Sequence, residues 1–253
     1  MPVVSCRSRI FECANLSMNF GGLQVLSGVN IALAQGERRA ILGPNGAGKT
    51  TLFNVICGEL VPSQGSVLIR DKDVTKKPSF TRVHYGFART YQVTNLFFDM
   101  TVLENIFVAL HGCQSNKLMH WKPVLQNGDL YDRAIALLEQ FAVASLRYEV
   151  VRNISYGDQR LLEIILALSS RPSILALDEP TSGLSVAETK QLVEVLNSLD
   201  SSLTILLIEH DMGVAFDVAQ TVTVLHRGKV IADGTKGEIA HSSLVRDVYM
   251  GVM

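Results

Sequence analysis

The chain has little of what marks the specialised protein classes. Its 253 residues include four cysteines, seven prolines and one tryptophan, and only 19% of the residues are charged. The cysteines, at positions 6, 13, 57 and 113, form no CxxC pair and no cluster with histidine. That spacing argues against a disulfide framework and against a zinc site, and it favours buried thiols in a reducing compartment.

Neither an excess of charge nor a long apolar run is present. Lys plus Arg is 23 and Asp plus Glu is 24, so the formal net charge is −1; a protein that binds nucleic acid by neutralising phosphates would be more basic. No apolar run approaches the roughly 20 residues of a membrane-spanning helix. No apolar stretch follows Arg7 and Arg9, so a secretory signal is not expected. With 47% hydrophobic residues, the sequence predicts a folded cytoplasmic protein.

Apolar strands that alternate with helical patterns predict an α/β fold with a mainly parallel sheet covered by helices. The residues before about position 70 are typical of short strands joined by turns, which we interpret as an N-terminal antiparallel β part. The middle of the chain is helical in texture, and Thr101 and Glu104 occupy the positions of a capping box. We expect the β part and the first half of the core at 1–92, an inserted α-helical subdomain at 93–153, and the second half of the core at 154–253.

The individual elements follow from the period of the apolar residues. The expected helices are 51–57, ended by Gly58; one that begins at Thr101 and buries Leu103, Ile106, Phe107 and Leu110; 131–141, with Ile135, Leu138 and Phe141 as its apolar stripe; and 186–199. The expected strands are 37–42, 174–177, 203–208 and a hairpin of 221–225 with 230–233. Residues 111–128 are polar, contain Pro123 and predict a loop.

Between an expected strand and the helix after it stands Gly43-x-x-x-x-Gly48-Lys49-Thr50, a phosphate-binding P-loop, or Walker A motif. Its glycines let successive backbone N–H groups turn toward the phosphates, and the following helix adds the positive end of its dipole. Lys49 would bind the β- and γ-phosphates of ATP, and Thr50 would bind Mg²⁺. The residues predicted to bind the nucleotide here are Gly43, Pro44, Asn45, Gly46, Ala47, Gly48, Lys49, Thr50 and Thr51.

A second motif ends an apolar strand with two acids, Asp178 and Glu179. Taken alone, such a pair is more often a solvated strand end. Beside a phosphate loop it indicates a Walker B element, in which Asp178 holds Mg²⁺ and Glu179 orients or deprotonates the attacking water. The two motifs together predict an enzyme that hydrolyses ATP.

In the order and spacing of its motifs the chain resembles the ATP-binding subunits of ABC transporters, from about Phe11 to Gly251. The resemblance gives a role to residues that alone would be taken as core or surface positions. It implies that Phe20 stacks on adenine, that Gln92 senses Mg²⁺ and the membrane partner, that Ser155 and Gly157 of the signature contact the γ-phosphate held by the opposite subunit, that 182–185 forms the dimer-contact loop, and that His210 is the switch histidine. The implied catalytic set is Glu179, His210 and Gln92, and the implied metal set is Thr50, Gln92 and Asp178.

The signature departs from the usual family pattern Leu-Ser-Gly-Gly-Gln at two positions. Tyr156 replaces the first glycine, and Asp158 replaces the glutamine. Ser155-x-x-Asp158 is itself a helix-capping pattern, so we interpret Asp158 as a cap that leaves the phosphate contacts intact. Ser185, three residues before Glu188, is interpreted in the same way, as a serine cap in place of the family's aspartate. Hydrolysis is therefore expected to be preserved.

Within the family, the run Phe20-Gly21-Gly22-Leu23, the signature Tyr156 and Glu209 before His210 resemble the larger ATPase of branched-chain (hydrophobic) amino acid importers. This implies three kinds of partner: transmembrane permease subunits, a second ATPase subunit in a homo- or heterodimer, and, indirectly, a periplasmic binding protein. The chain would be peripheral, on the cytoplasmic face of the cell membrane, and would bind no nucleic acid. Urea-import and lipopolysaccharide-export ATPases share much of the pattern and remain alternatives.

Two readings outside transport are also open. A soluble ABC ATPase of DNA repair or translation would carry coiled-coil arms or paired ATPase domains, and neither is visible in the sequence. A non-hydrolysing nucleotide-binding regulatory module would be expected to have lost Glu179 or His210, and both are present. Transport-coupled ATP hydrolysis is therefore the preferred hypothesis.

Overall fold

The computed structural model describes residues 8–90, 96–113 and 128–250. These residues divide into two compact units. The core unit takes the described residues of 1–89, 173–179 and 199–253, and the helical unit takes those of 90–172 and 180–198. The units divide the chain at other points than the three segments expected from the sequence, and the expected boundary at 92/93 lies outside the described residues.

The described strands all belong to the core unit. They are β1 (Arg9–Phe20), β2 (Leu23–Ala34), β3 (Arg38–Leu42), β4 (Gln64–Ile69), β5 (Lys72–Asp73), β6 (Phe87–Arg89), β7 (Ile174–Asp178), β8 (Thr204–Ile208), β9 (Thr221–His226) and β10 (Lys229–Thr235). One antiparallel sheet has the order β2-β1-β4-β5, and a six-stranded sheet has the order β10-β9-β3-β8-β7-β6. In the second sheet only the β9–β10 pair is antiparallel. The predicted antiparallel β part and mainly parallel core sheet are confirmed.

The described α-helices are α1 (Lys49–Cys57), α2 (Ser79–Arg82), α3 (Val102–Gly112), α4 (Gly128–Gln140), α5 (Tyr156–Leu168), α6 (Val186–Ser198), α7 (Met212–Val218), α8 (Lys236–Ala240) and α9 (Ser243–Tyr249). Helix α1 ends at Gly58, which adopts a left-handed φ of 83° and donates to two carbonyls of the last turn, as the sequence predicted. The predicted hairpin is also present, with Arg227 and Gly228 both at positive φ in the turn between β9 and β10.

Helices cover both faces of the six-stranded sheet. Alternate residues of a strand face opposite sides, and β3 shows the result. Ile41 packs in a large apolar cluster with α1 and the antiparallel sheet, whereas Ala40 and Leu42 pack in a second cluster with residues of α7, α8 and α9. The central strands are consequently buried on both sides, which explains why they read as continuous apolar runs.

The register of the parallel strands brings three chain segments to one edge of the sheet. Ile208, the last residue of β8, pairs with Ile41 of β3 on one side and with Asp178 of β7 on the other. The segments that follow these strands begin at Gly43, Glu179 and Glu209. The phosphate loop, the acidic pair and the histidine segment therefore leave the sheet at its carboxyl edge, where ligands bind in open α/β sheets.

In the helical unit, the capping box predicted for α3 is confirmed. The Thr101 hydroxyl accepts from the Glu104 amide, and the Glu104 carboxylate accepts from the Thr101 amide at 2.7 Å. The predicted buried face is also confirmed; it consists of Leu103, Ile106, Phe107 and Leu110.

The prediction for α4 is partly wrong. The helix begins at Gly128 instead of 131, and it ends at Gln140. The earlier start adds Leu130 to the buried face, which is formed by Leu130, Ala134 and Leu138, spaced four residues apart. Ile135 is only half-buried and Phe141 lies beyond the helix. The loop predicted for 111–128 begins later than expected because α3 continues to Gly112, and residues 114–127 lie outside the described part.

Among the described residues, no helix is both long and apolar enough to cross a membrane.

Candidate functional site

The phosphate loop leaves β3 and enters α1 over a tightly packed backbone. Gly48, the residue before α1, has a left-handed φ of 101°. A Cβ at this position would lie 3.0 Å from Leu26 Cδ2 and 3.1 Å from the Val25 carbonyl oxygen. The conformation and the close approach of β2 both favour glycine here. The Ala47 carbonyl also accepts from the Gly228 amide at 2.9 Å, so the loop is held from the β9–β10 turn as well.

Helix α1 begins without an anion of its own. Gly48 provides no side-chain cap, and the first turn contains no acidic residue. The first amides of a helix have no partner within the helix and carry the positive end of its dipole. This end of α1 is consequently suited to bind a phosphate.

The Lys49 side chain is buried and turned into the loop. Its Nζ donates to the Gly43 carbonyl at 2.6 Å and to the Pro44 carbonyl at 3.1 Å. Burial lowers the pKa of Lys49, and the negative charges of Glu179 and Asp178 oppose that shift. The ammonium group therefore lies within electrostatic reach of both acids, as expected if the Walker A and Walker B motifs form one site.

Asp178 is a buried carboxylate at the end of β7, with only 3% of its surface exposed. Burial raises its pKa to about 6, the neighbouring charge of Glu179 adds to the rise, and Arg89 and Lys49 oppose it. A buried acid in such surroundings is destabilising unless a cation joins it. The raised pKa marks Asp178 as a functional-site candidate on physical grounds.

Glu179 follows Asp178 in a strained backbone conformation. Its φ is +44°, in the left-handed region that non-glycine residues avoid at a cost of about 1–2 kcal/mol. Its amide donates to the Ile208 carbonyl at 2.9 Å and so extends the pairing of β7 with β8 by one residue. The strain is typical of a residue whose position serves function.

His210 extends from the end of β8, and 57% of its side chain is exposed. Its Nδ1 lies 3.8 Å from Oε2 of Glu209, and its backbone amide donates to the same oxygen at 3.3 Å. The Glu209 side chain is fully buried, and its charge contributes to the raised pKa of Asp178. The imidazole is therefore accessible to a ligand and is not buried in the core.

Phe20 is also no core residue, since 47% of its surface is exposed at the end of β1. The next strand, β2, begins three residues later and contacts Gly48 through Val25 and Leu26. The turn that carries Phe20 is thereby connected to the phosphate loop. Gln92, the remaining predicted site residue of this group, lies outside the described residues.

The signature segment opens α5 in the helical unit. Ser155 is the N-cap: its hydroxyl accepts from the Asp158 amide at 3.1 Å and donates to Asp158 Oδ2 at 2.7 Å. The serine cap predicted at Ser155 is confirmed, but the Asp158 carboxylate binds the Ser155 hydroxyl, so this pair forms only half of a capping box. Ser185 and Glu188 form both halves at the start of α6: the Ser185 hydroxyl accepts from the Glu188 amide at 3.3 Å, and the Glu188 carboxylate accepts from the Ser185 amide at 2.9 Å.

Comparison with known proteins agrees with these features. The family model described as ABC transporter matches residues 26–182. The chain belongs to the ABC transporter family.

Relatives of this ABC chain match it over nearly their full length. It is 38% identical to the high-affinity branched-chain amino acid transport ATP-binding protein LivG of Escherichia coli strain K12, over 93% of this chain and 95% of the relative. It is 33% identical to the protein BraF of Pseudomonas aeruginosa, which bears the same description, over 96% and 98%. Two crystal structures of ATP-binding cassettes from ABC transporters, one nucleotide-free and one in the ADP conformation, superpose with TM-scores of 0.83 and 0.85 at 30% identity, over 96% of this chain and 99% of each of theirs.

Within this ABC ATPase, the structure brings Lys49, Asp178 and Glu179 into one electrostatic environment. All three belong to the core unit, as do the histidine and Phe20. Ser155 and Gly157 belong to the helical unit.

Sequence reasoning missed two arginines of the core unit. Arg82 is fully buried, and its guanidinium donates to five backbone carbonyls, two of which, those of Val55 and Ile56, belong to the last turn of α1. Arg89 lies 5.2 Å from the ring centroid of Phe53 and 3.3 Å from the Glu59 carboxylate, and its charge opposes the raised pKa of Asp178. Neither arginine belongs to a recognisable motif, because each interacts with backbone carbonyls or charged groups at positions distant in the sequence.

Proposed function

We propose that the chain is the ATP-hydrolysing subunit of an importer that takes up branched-chain amino acids or a related small solute. The observation that carries the proposal is the shared environment of Lys49, Asp178 and Glu179, which unites a phosphate-binding loop with a carboxylate pair. The names of these two relatives support the choice of solute.

ATP would bind with its phosphates at the start of α1. Lys49 would exchange its bonds to the Gly43 and Pro44 carbonyls for bonds to the β- and γ-phosphates, which keeps the buried ammonium paired throughout. The adenine would stack on Phe20, whose exposed ring is accessible to a base.

The residues present fit a magnesium ion. The buried Asp178 carboxylate, whose pKa is raised to about 6, is the type of acid that a cation would stabilise. Among the described residues there is no group of three or more His, Cys, Asp or Glu side chains that could hold a metal. Mg²⁺ suits such a site, because it is usually bound through one or two carboxylates together with substrate phosphates. Thr50 and Asp178 would hold it, with Gln92 as the third expected ligand, and when bound it supplies positive charge at the β- and γ-phosphate oxygens.

For hydrolysis, Glu179 would accept the proton of the attacking water and orient that water toward the γ-phosphate. Its backbone is held at the carboxyl edge of the sheet, beside Asp178, by the bond from its amide to the Ile208 carbonyl. His210 would contact the γ-phosphate through its exposed imidazole, whose Nδ1 lies 3.8 Å from Oε2 of the buried Glu209. Glu179 would therefore both orient the water and take its proton, whereas His210 would bind the γ-phosphate.

The reaction would need a second ATPase subunit. Ser155 and Gly157 would donate to the γ-phosphate bound on the phosphate loop of the opposite chain, so two ATP molecules would lie between two subunits. ATP would favour the closed dimer and its hydrolysis would open it, which is a population shift set by differential contacts.

The helical unit would carry the contact with the membrane subunits. Several of its large apolar side chains are exposed, and exposed apolar surface can mark a contact with another protein. They are Phe97, Phe98, Val108, Tyr148, Tyr156 and Val186. A peripheral position on the cytoplasmic face of the membrane follows from this docking, with a periplasmic binding protein delivering the solute from the other side.

Glu179→Gln tests the hydrolytic mechanism. The substitution keeps the shape of the side chain and removes the base, so turnover should fall about 10²–10⁴-fold while ATP still binds. Glu139→Gln, an exposed position on α4, is the matched control and should keep the full rate. ATP hydrolysis by the Glu179→Gln protein at the wild-type rate would refute the mechanism.

The solute is tested by uptake of radiolabelled leucine into cells that lack the chain. Uptake should be lost and should return with the wild-type chain but not with Lys49→Ala. Normal leucine uptake together with lost urea uptake would show that the transported solute is urea and not a branched-chain amino acid.

A further inference from the structure

The signature segment and the dimer-contact loop are joined more closely than capping of their helices requires. Oε2 of Glu188 accepts from the Ser185 amide at 2.9 Å and from its hydroxyl at 2.7 Å, which completes the cap of α6. Oε1 of the same carboxylate accepts from the Gly157 amide at 3.2 Å. One side chain of α6 thus serves the N-terminal ends of two helices.

Two glycines make this approach possible. A Cβ on Gly157 would lie 2.7 Å from Oε1 of Glu188, closer than real Cβ contacts allow. A Cβ on Gly183 would lie 3.1 Å from Cε1 of Tyr156, at a left-handed φ of 81°. The large Tyr156 therefore faces a glycine of the dimer-contact loop. Both segments are shaped for contact with each other.

We propose that Glu188 is a positioning residue that holds, within its own chain, the Gly157 N–H that later binds the γ-phosphate of the opposite subunit. The carboxylate is an internal anion at the start of α5 and must leave the amide before the dimer closes. This inference rests on the proposed function, in which Gly157 contacts that phosphate.

The charge of Glu188 supports the role. Hydrogen bonds from the Ser185 hydroxyl, the Ser185 amide and the Gly157 amide hold the pKa of Glu188 below its usual range, so the group is ionised at neutral pH. An ionised carboxylate and a γ-phosphate cannot both occupy one amide, and their like charges repel at that distance. Each closure of the dimer therefore costs the bond between Glu188 and Gly157.

There is room for the carboxylate to move. A cavity of about 30 Å³ lies beside it and is lined by Ser155, Asp158, Leu161 and Gln191, among others. Glu188 could keep its bonds to Ser185 at the start of its own helix while it releases Gly157. The bond between Glu188 and Gly157 raises the ATP concentration that is needed for the dimer to close. It does not change the affinity of a single chain for ATP.

The test compares Glu188→Gln with its matched control Glu194→Gln, an exposed glutamate on the same helix. Both are made in the Glu179→Gln protein, so that hydrolysis does not interfere. Glutamine is accepted in a capping box, so α6 keeps its cap while the charge is removed. Sedimentation velocity gives the dimer dissociation constant with ATP, ATP binding by the single chain is measured at low protein concentration, and NMR follows the Gly157 amide without nucleotide.

Glu188→Gln should shift the Gly157 amide resonance and tighten the ATP-dependent dimer about 100-fold, because each of the two chains gives up one hydrogen bond to a charged group, worth about tenfold per chain. Glu194→Gln should do neither, and single-chain ATP binding should be unchanged in both. A merely structural role for Glu188 would weaken the dimer.

An unmoved Gly157 resonance, an unchanged or weaker dimer, or no ATP-dependent association in any variant would overturn the proposal. The two proposals fail separately. Loss of ATP binding by the Glu179→Gln parent would contradict the proposed function, whereas intact binding and dimerisation without the Glu188 effect would contradict only the inference.

Discussion

Two helix N-termini carry the phosphate chemistry assigned to this ABC ATPase, and they are built in opposite ways. Helix α1 starts at Gly48 with no side-chain cap and no acid in its first turn. Helix α5 starts at Ser155 with a hydroxyl cap, and the carboxylates of Asp158 and Glu188 both accept hydrogen bonds at that end.

The difference follows from where each phosphate comes from. The amides of α1 would meet a phosphate bound by their own chain, so their positive end can be left without a carboxylate. The amides of α5 would meet a phosphate only when a second chain arrives, and orphan amides are unfavourable until then. The first site is fixed by packing and buried charge, whereas the second is maintained by anions of its own chain.

The largest predicted loss of stability comes from a substitution that removes hydrogen bonds to the C-terminal end of α1. Arg82→Met deletes a guanidinium that serves five carbonyls, two of them at the C-terminal end of α1. Orphaned buried carbonyls should lower the free energy of unfolding by about 4 kcal/mol. Thermal unfolding of Arg82→Met should show this, with the exposed Arg152→Met as control. An unchanged melting temperature would mean that packing alone fixes α1.

Replacing Asp178 gives the next largest effect on the free energy of unfolding. This substitution should stabilise the fold, whereas Arg82→Met should destabilise it. Because its folded pKa of about 6 exceeds the ordinary value of 3.8, its contribution to stability is fully present below about pH 4 and is lost as the pH rises through 6. The loss amounts to about 3 kcal/mol.

Asp178→Asn should therefore raise the melting temperature at pH 8, measured without nucleotide or metal, and have little effect at pH 4. The control is Asp132→Asn, at an exposed acid on α4. Its effect on the melting temperature should be the same at pH 8 and at pH 4. Equal melting temperatures of Asp178→Asn and wild type at pH 8 would show that the buried acid is already stabilised within the chain.

The smallest effect concerns the signature side. Gly183→Ala and Gly28→Ala both place a side chain at a left-handed φ, but only Gly183 has a neighbour within 4 Å, the Tyr156 ring. Each should lose about 1–2 kcal/mol from strain, and Gly183→Ala should lose up to about 1 kcal/mol more. Urea unfolding measures both, and Tyr156→Ala in the Gly183→Ala chain should remove the extra loss. Equal losses of stability in Gly183→Ala and Gly28→Ala, with no recovery when Tyr156→Ala is added, would argue against the Tyr156 contact.

How far the sequence could predict these features depends on their range along the chain. The loop at Gly48, the Thr101–Glu104 capping box and the Ser155–Asp158 cap are set by neighbours within a few positions, and the sequence predicted each. The shift of α4 to Gly128 was not predicted because its buried face depends on what packs against Leu130. Arg82, Arg89 and the bond from Gly157 to Glu188 join positions far apart in the chain, and no local pattern reveals such pairs.

The central claim is that one catalytic site needs the phosphate loop of one chain and the signature of another, and mixing two inactive variants tests it most directly. Lys49→Ala removes the phosphate-loop lysine, and Ser155→Arg blocks the signature, so each protein alone should be inactive. Mixed in equal amounts, about half of the dimers should contain one intact site, and roughly a quarter of the wild-type ATPase rate should return. A mixture that stays inactive, or a Ser155→Arg protein that hydrolyses ATP at the wild-type rate by itself, would contradict the account.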